Sequence, residues 1–134
     1  MRTVFALPLI AALSLAGCMG QGRDTASAET VAGLDKALAG LTPGPATSCI
    51  PPQYSPVSTK VYGKVLLYKS TNGDVYRNDT AGGCEGSGDD ILVQVEYSGR
   101  PCSGDIIRTV DRYNRFPTGS CALGQFTPYL KARK

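Results

Sequence analysis

Pro101-Cys102-Ser103-Gly104-Asp105-Ile106-Ile107 places a cysteine and a Gly-Asp turn between two segments patterned as strands. On its N-terminal side Ile91, Val93, Val95 and Tyr97 alternate with Leu92, Gln94 and Glu96. That period of two is the signature of a strand with one buried face, and the apolar set is expected to face the core. On its C-terminal side Asp105-Ile106-Ile107-Arg108-Thr109-Val110 is rich in β-branched residues. Gly99 to Gly104 therefore reads as a hairpin connection, with Asp105 expected to hold an Asx turn through its carboxylate.

Further strands are expected on both sides of this pair. Val61, Tyr62, Val65, Leu66, Leu67 and Tyr68 have strand composition, and Ser70-Thr71-Asn72-Gly73-Asp74 is a turn signal before Val75-Tyr76-Arg77. Pro51, Pro52 and Pro56 exclude a long central strand in their own stretch. Residues 81–90 read as a glycine-rich loop, residues 112–121 as irregular, and Ala122 to Thr127 as a last short strand. The fold class is mainly β: a small antiparallel barrel or sandwich of five to six short strands.

Upstream, Met1-Arg2-Thr3 precedes an apolar run from Val4 to Leu15, with small residues after it. A short positive end and an apolar stretch too brief to span a bilayer describe a secretory signal. Leu15-Ala16-Gly17-Cys18 resembles the bacterial lipobox, in which the cysteine thiol takes a diacylglycerol and becomes the acylated N-terminus. The competing reading is an ordinary signal peptide with an incidental cysteine. Two or more acyl chains anchor stably where one does not, so the lipobox reading implies a membrane-bound protein. Met19 follows the cysteine where an Asp would favour the inner membrane in enterobacterial sorting, which points to the outer membrane, facing the periplasm.

The expected organisation is a lipoprotein signal peptide over 1–17, a tether over 18–46, a β domain over 47–130 and a basic tail over 131–134. Within the tether Val31, Leu34, Leu38 and Leu41 fall at helical spacing, Ser27 is placed to cap a helix, and Gly40 or Gly44 to end it.

Without Cys18, four of the five cysteines remain, in a compartment that oxidises thiols. Two disulfides are expected, and of the three possible pairings Cys49 with Cys121 and Cys84 with Cys102 is the one we adopt for the sequence. A zinc site is the competitor, but there is no histidine and no Cys-x-x-Cys pair.

Residues that could carry chemistry are few. With no histidine there is no Ser-His-Asp or Cys-His set. Asp89, Asp90 and Asp105 are the candidate acids of a hydrolase. Asp74, Asp79 and Glu85, with Asp89 and Asp90, lack the regular spacing of a calcium loop. The glycines of Gly82 to Gly88 are not followed by the Gly-Lys-Ser/Thr of a phosphate loop. Arg108, Arg112 and Arg115, with Tyr113 and Phe116 between, form a basic and aromatic cluster suited to an acidic partner, anionic headgroups or a glycan. The net charge of +3 is too small and dispersed for nucleic acid, and no cofactor is implied.

The order Ser48-Cys49-Ile50, Val75-Tyr76-Arg77-Asn78, Gly83-Cys84, Cys102-Ser103-Gly104-Asp105-Ile106 and Gly119 to Pro128 resembles a family of small secreted or lipid-anchored proteobacterial proteins classed as a domain of unknown function. The Cys-x-Leu-Gly-x-Phe-x-Pro motif, here Cys121 to Pro128, is its most specific part. The resemblance implies placement and a four-cysteine framework rather than a mechanism. In the motif, Gly124 is expected to permit a close backbone approach, Phe126 to fill the core and Pro128 to end an edge strand.

The leading expectation is a non-catalytic binding or structural module of the cell envelope, held to the membrane through Cys18 and contacting another envelope protein or the wall. One alternative is a periplasmic inhibitor similar, in fold only, to the small lipid-anchored inhibitors of lysozyme. It would use Tyr54 to Lys60 or Gly82 to Asp90 as its inserting loop. The other is the hydrolase.

Overall fold

A computed structural model describes residues 27–54, 56–82, 84 and 89–132. The expected signal, Cys18, Glu85 and the last two residues of the basic tail lie outside the described residues. What is described is mainly β: one helix and nine strands in two antiparallel sheets that do not close into a barrel. The strands number nine rather than five to six because hairpins that read as single runs are broken by tight turns, and several partners are only two or three residues long.

The helix α1 (Ala28–Leu38) begins as expected at Ser27, whose hydroxyl accepts from the Thr30 N–H at 3.2 Å. It ends before Gly40, which takes a positive φ of 76°. Its contact face is rotated from the expected one: Gly33, Leu34, Ala37 and Leu38 are half-buried while Val31 is exposed. Gly33 lies against the Tyr62 ring, where an added Cβ would come within 3.1 Å. The helix thus touches the sheet through a residue with no side chain.

The sheet begins earlier than the 47 boundary read from the sequence. Leu41–Pro43 forms β1, an edge strand on the five-stranded sheet β1-β9-β4-β3-β2, in which β9 runs Phe126–Lys131. In that sheet β2 (Pro56–Tyr62) and β3 (Val65–Ser70) are two strands of a hairpin where the sequence reads as one run. They are split by a turn at Gly63, whose φ of 59° favours glycine. The next hairpin, β3 with β4 (Val75–Asp79), turns at Asn72-Gly73 as expected. There the buried Asp74 carboxylate accepts from the Asn72 amide at 2.7 Å and the Lys131 N–H at 3.0 Å. Pro56 starts an edge strand, where a missing N–H costs no ladder bond.

The second sheet has the order β5-β8-β7-β6. It comprises β5 (Ala81–Gly82), β6 (Ile91–Gln94), β7 (Ile106–Val110) and β8 (Pro117–Ala122). The stretch read as irregular after Asp111 contains β8, paired along β7. The expected last strand over 122–127 is interrupted at residues 123–125, where the chain leaves this sheet for the other and resumes as β9 (Phe126–Lys131). One core lies between the sheets: Leu66, Tyr68, Tyr76 and Phe126 from one, Ile107 and Cys121 from the other, with Ile50, Cys84 and Leu123.

The crossing is where the Cys121 to Pro128 motif sits. Gly124 passes so close to β4 that an added Cβ would collide with the Asp79 carbonyl. Asn78, fully buried, donates to the Gly124 carbonyl at 2.8 Å and accepts from its N–H at 2.9 Å. Phe126 is buried in the core as expected. Pro128 does not end an edge strand: it lies inside β9, between β1 and β4. It is tolerated because it stands opposite the end of β1: its carbonyl still accepts from Gly44 N at 2.8 Å, and the bond its missing N–H cannot make falls where the regular ladder ends at Pro43.

The disulfides are Cys49–Cys102 and Cys84–Cys121, which corrects the expected pairing of Cys49 with Cys121 and Cys84 with Cys102. Cys49 and Cys102 stand opposite each other in an antiparallel bridge with Cα atoms 4.0 Å apart. Bonds from Ile50 N to Pro101 O and from Ser103 N to Ser48 O flank them. Cys121 lies on β8, in the other sheet from the last strand, and its inward side chain meets Cys84 in the core. A link from Cys49 to Cys121 would tie the first strand to the last, but the sheet crossing at residues 123–125 leaves Cys121 in the other sheet from β9.

Candidate functional site

The strand pair around the opening stretch is turned inside out relative to its pattern. The register Leu92↔Thr109 and Gln94↔Ile107 sends Leu92 and Gln94 toward the core with buried Thr109 and Ile107. Ile91, Val93 and Val95 consequently face outward. Val93 pairs with exposed Arg108 and Arg108 with exposed Ser120, while Ile91 pairs with Val110 and Ile106 with Ala122. Val93 is 43% and Ile106 48% exposed. An apolar sheet face with a single arginine at its centre is thus open to solvent.

The core supplies the reason for the inversion. The Tyr68 hydroxyl, reaching across from β3, donates to Gln94 Oε1 at 3.1 Å, and the Tyr68 ring packs edge-on to Phe126 with centroids 5.6 Å apart. Burial, and then the charges of Glu96 and Asp105, push the Tyr68 phenol well above the ordinary tyrosine range, so it remains a donor. Gln94 Nε2 is buried without a hydrogen-bond partner among the described residues. A polar side chain occupies the core position that the alternation assigns to a valine.

The opening stretch itself is a rigid turn. Asp105 Oδ2 accepts from the Cys102 N–H at 2.8 Å, three residues back rather than two residues on, and its backbone joins Leu123: Leu123 N donates to Asp105 O, and Gly104 N to Leu123 O, each at 2.9 Å. Residues 101–107 and the sheet-crossing motif therefore hold one another. The Asp105 carboxylate is spent on this turn.

The other candidate acids do not converge on it. The Asp90 carboxylate accepts from the Thr118 hydroxyl at 2.6 Å, and the Asp89 carbonyl from Arg112 Nε at 3.1 Å. Asp79 is paired with Arg77 on the surface, and Asp74 is bound into its turn. Among the described residues no three of His, Cys, Asp and Glu gather as a metal-binding group.

Nor do the three arginines form one patch. Arg108 stands on the sheet face, while Arg112 turns to line an open groove of about 960 Å³ between the free edges of β2 and β6, with Lys60, Tyr62 and Asp90. Arg115 sits in the β7–β8 turn with a φ of 63°, a conformation rarely adopted by residues other than glycine. Asp111 Oδ1 accepts from the Tyr113 and Asn114 N–H groups, and Asn114 Oδ1 from Phe116 N, so the turn is internally braced. It leaves Tyr113 82% and Phe116 70% exposed. Of the two candidate inserting loops, Tyr54 to Lys60 is mostly edge strand, with Tyr54 packed on the core. The other, Gly82 to Asp90, falls largely outside the described residues.

No family model, characterised protein or solved structure matches this chain. The sequence reading missed the exposed face because alternation specifies two faces without saying which is inward. The one available signal was Gln94 itself, opposite Ile107 and one strand from Cys121.

Proposed function

We propose that the protein is a cell-envelope lipoprotein whose β domain is a non-catalytic binding or structural module, and that its contact surface is the outer face of β6, β7 and β8. The observation that carries this reading is the inverted strand: an apolar row is presented to solvent while a half-buried glutamine faces the core. Monomeric domains seldom expose contiguous apolar surface unless something covers it. The carboxylates available to a hydrolase support the same reading, since Asp105 braces a turn and Asp90 holds Thr118. The four disulfide-bonded cysteines fit an oxidising compartment, and the lipobox-like Leu15-Ala16-Gly17-Cys18 supplies the anchor.

Two measurements test it. The N-terminal peptide of the protein recovered from native membranes is expected to carry a diacylglyceryl group on Cys18, and an unmodified N-terminus would remove the anchor. In cells, a photo-crosslinking residue at Val93 or Ile106 is expected to form adducts that one at Val57, exposed on β2 of the other sheet, does not. Equal labelling from both positions would sink the proposed contact surface.

A further inference from the structure

The outward rows of the four-stranded sheet carry Ile91, Val93, Ile106 and Val110 around Arg108, and no carboxylate. Apart from exposed Asp89, whose backbone carbonyl accepts from Arg112, the acidic groups nearest in sequence are engaged or lie elsewhere. Asp111 caps the β7–β8 turn, Asp90 accepts from Thr118, Asp105 accepts from Cys102, and Glu96 lines a separate hollow with Pro52 and Arg100. The Arg108 side chain has no hydrogen bond or ion pair among the described residues, and neither has that of Arg115. At the ends of the same sheet stand Tyr97 on one connection, and Tyr113 and Phe116 on the other, all strongly exposed.

We infer that this face docks on an anionic phospholipid bilayer, with Tyr113 and Phe116 at the headgroup level and Arg108 against lipid phosphate. The inference rests on the lipid-anchor reading. Cys18 precedes Ser27 by a segment that reaches roughly 30 Å at full extension, so an anchored domain meets the bilayer more often than any other surface. Aliphatic side chains bordered by aromatic tips and arginines match the chemistry of a membrane interface, where rings sit at headgroup depth and each basic side chain gains from anionic lipid. A second copy fits poorly, because a two-fold pairing about the centre of the face sets Arg108 against its own mate. A rigid protein ligand would be better served by a concave site, and of this face only Ile91 borders one, the groove that also holds Arg112.

The chain contains no tryptophan, so Phe116→Trp gives a single fluorescent reporter at an exposed position. The full-length protein, expressed with its own leader in a bacterial host, is mixed with vesicles of phosphatidylethanolamine and phosphatidylglycerol whose acyl chains are brominated. The expected result is a blue-shifted emission quenched by the brominated chains, most of it lost in vesicles with phosphatidylcholine in place of phosphatidylglycerol. Arg108→Glu in the same background is expected to lose most of the quenching, and Val57→Trp to keep solvent-like emission throughout. Emission from Phe116→Trp indistinguishable from that of Val57→Trp overturns the inference. So does quenching that ignores both lipid charge and Arg108→Glu, and so does an unquenched reporter accompanied by a protein adduct from a crosslinker at Val93. The intact mass of the same preparation reads the anchor separately. An unacylated chain removes the anchor reading, while quenching of that unanchored chain by added vesicles still supports the face.

Discussion

Gln94, half-buried, and Tyr68, buried, form a polar pair whose members cannot be changed singly without cost. The pair joins the two sheets, and Gln94 Nε2 has no partner among the described residues. Tyr68→Phe strands the glutamine completely and Gln94→Leu strands the phenol, so each is expected to destabilise by about 1–3 kcal/mol. Changing both removes every polar atom from the site, and the double variant is expected to recover most of the loss. Urea unfolding of the four proteins of that cycle measures it, and simple additivity would mean that the two groups do not interact. The same burial gives a pH dependence. Desolvation raises the phenol pKa of both Tyr68 and Tyr76 above the ordinary value near 10. Above that ordinary value the unfolded chain releases a proton that the folded chain retains, so stability is complete below about pH 10 and falls as pH rises beyond it. Tyr68→Phe should flatten that decline. An alkaline titration followed by tyrosinate absorbance should find Tyr68 ionising only above the ordinary tyrosine range, and Tyr68→Phe should remove that late step. Gly124 makes a different demand: an added methyl meets the Asp79 carbonyl, which is backbone and cannot swing away. Gly124→Ala should therefore cost about 1–3 kcal/mol through overpacking, read as a lower denaturation midpoint.

At the level of the strand, β6 decides which face of the second sheet the protein shows to its surroundings. If Ile91, Val93 and Val95 were core residues, Val93→Thr would bury a hydroxyl and cost measurable stability. With Val93 outward, that substitution keeps the β-branched shape and should change stability by less than about 0.5 kcal/mol. Leu92→Ala, which opens a space beside the core it packs against, should cost about 2 kcal/mol. The reverse ranking in thermal melts would restore the ordinary orientation and remove the exposed apolar face. This strand also marks the limit of what the sequence discloses. The hairpin at Asn72-Gly73 and the Ser27 cap are legible because turn and cap chemistry are local. The orientation of β6 is not, because a one-residue change of register exchanges its faces, and the choice is made by Tyr68 and Phe126, far away in the chain. Likewise β8 was hidden: Pro117 and Gly119 read as loop chemistry, yet pairing along β7 holds them in a strand.

Over the whole molecule, the disulfides divide the task of holding two sheets that do not close on each other. Cys49–Cys102 fastens the segment entering the domain to the β6–β7 connection, and Cys84–Cys121 fastens the end of β5 to β8 within the core. They close loops of 53 and 37 residues by sequence separation. On chain entropy alone the two should be worth nearly the same, roughly 4 kcal/mol each. Their surroundings separate them. Cys84 and Cys121 are both buried with Ile107 and Phe126, whereas Cys49 and Cys102 are half-buried. Replacing Cys84 and Cys121 by serine removes the cross-link and also puts two hydroxyls into an apolar core. Replacing Cys49 and Cys102 removes the cross-link at a site where backbone bonds from Ile50 and Ser103 still hold the two segments together. The Cys84/Cys121 double variant is therefore expected to be the less stable of the two in urea, despite its shorter loop. Mild reductant acting on the folded protein should open Cys49–Cys102 first, because a thiolate reaches it without unfolding the core. Non-reducing peptide mapping during a timed reduction reads both points: the first fragments to separate should be those holding Cys49 and Cys102. Release of Cys84 and Cys121 at the same rate would mean that the molecule opens as one unit, with neither bridge protected by the core.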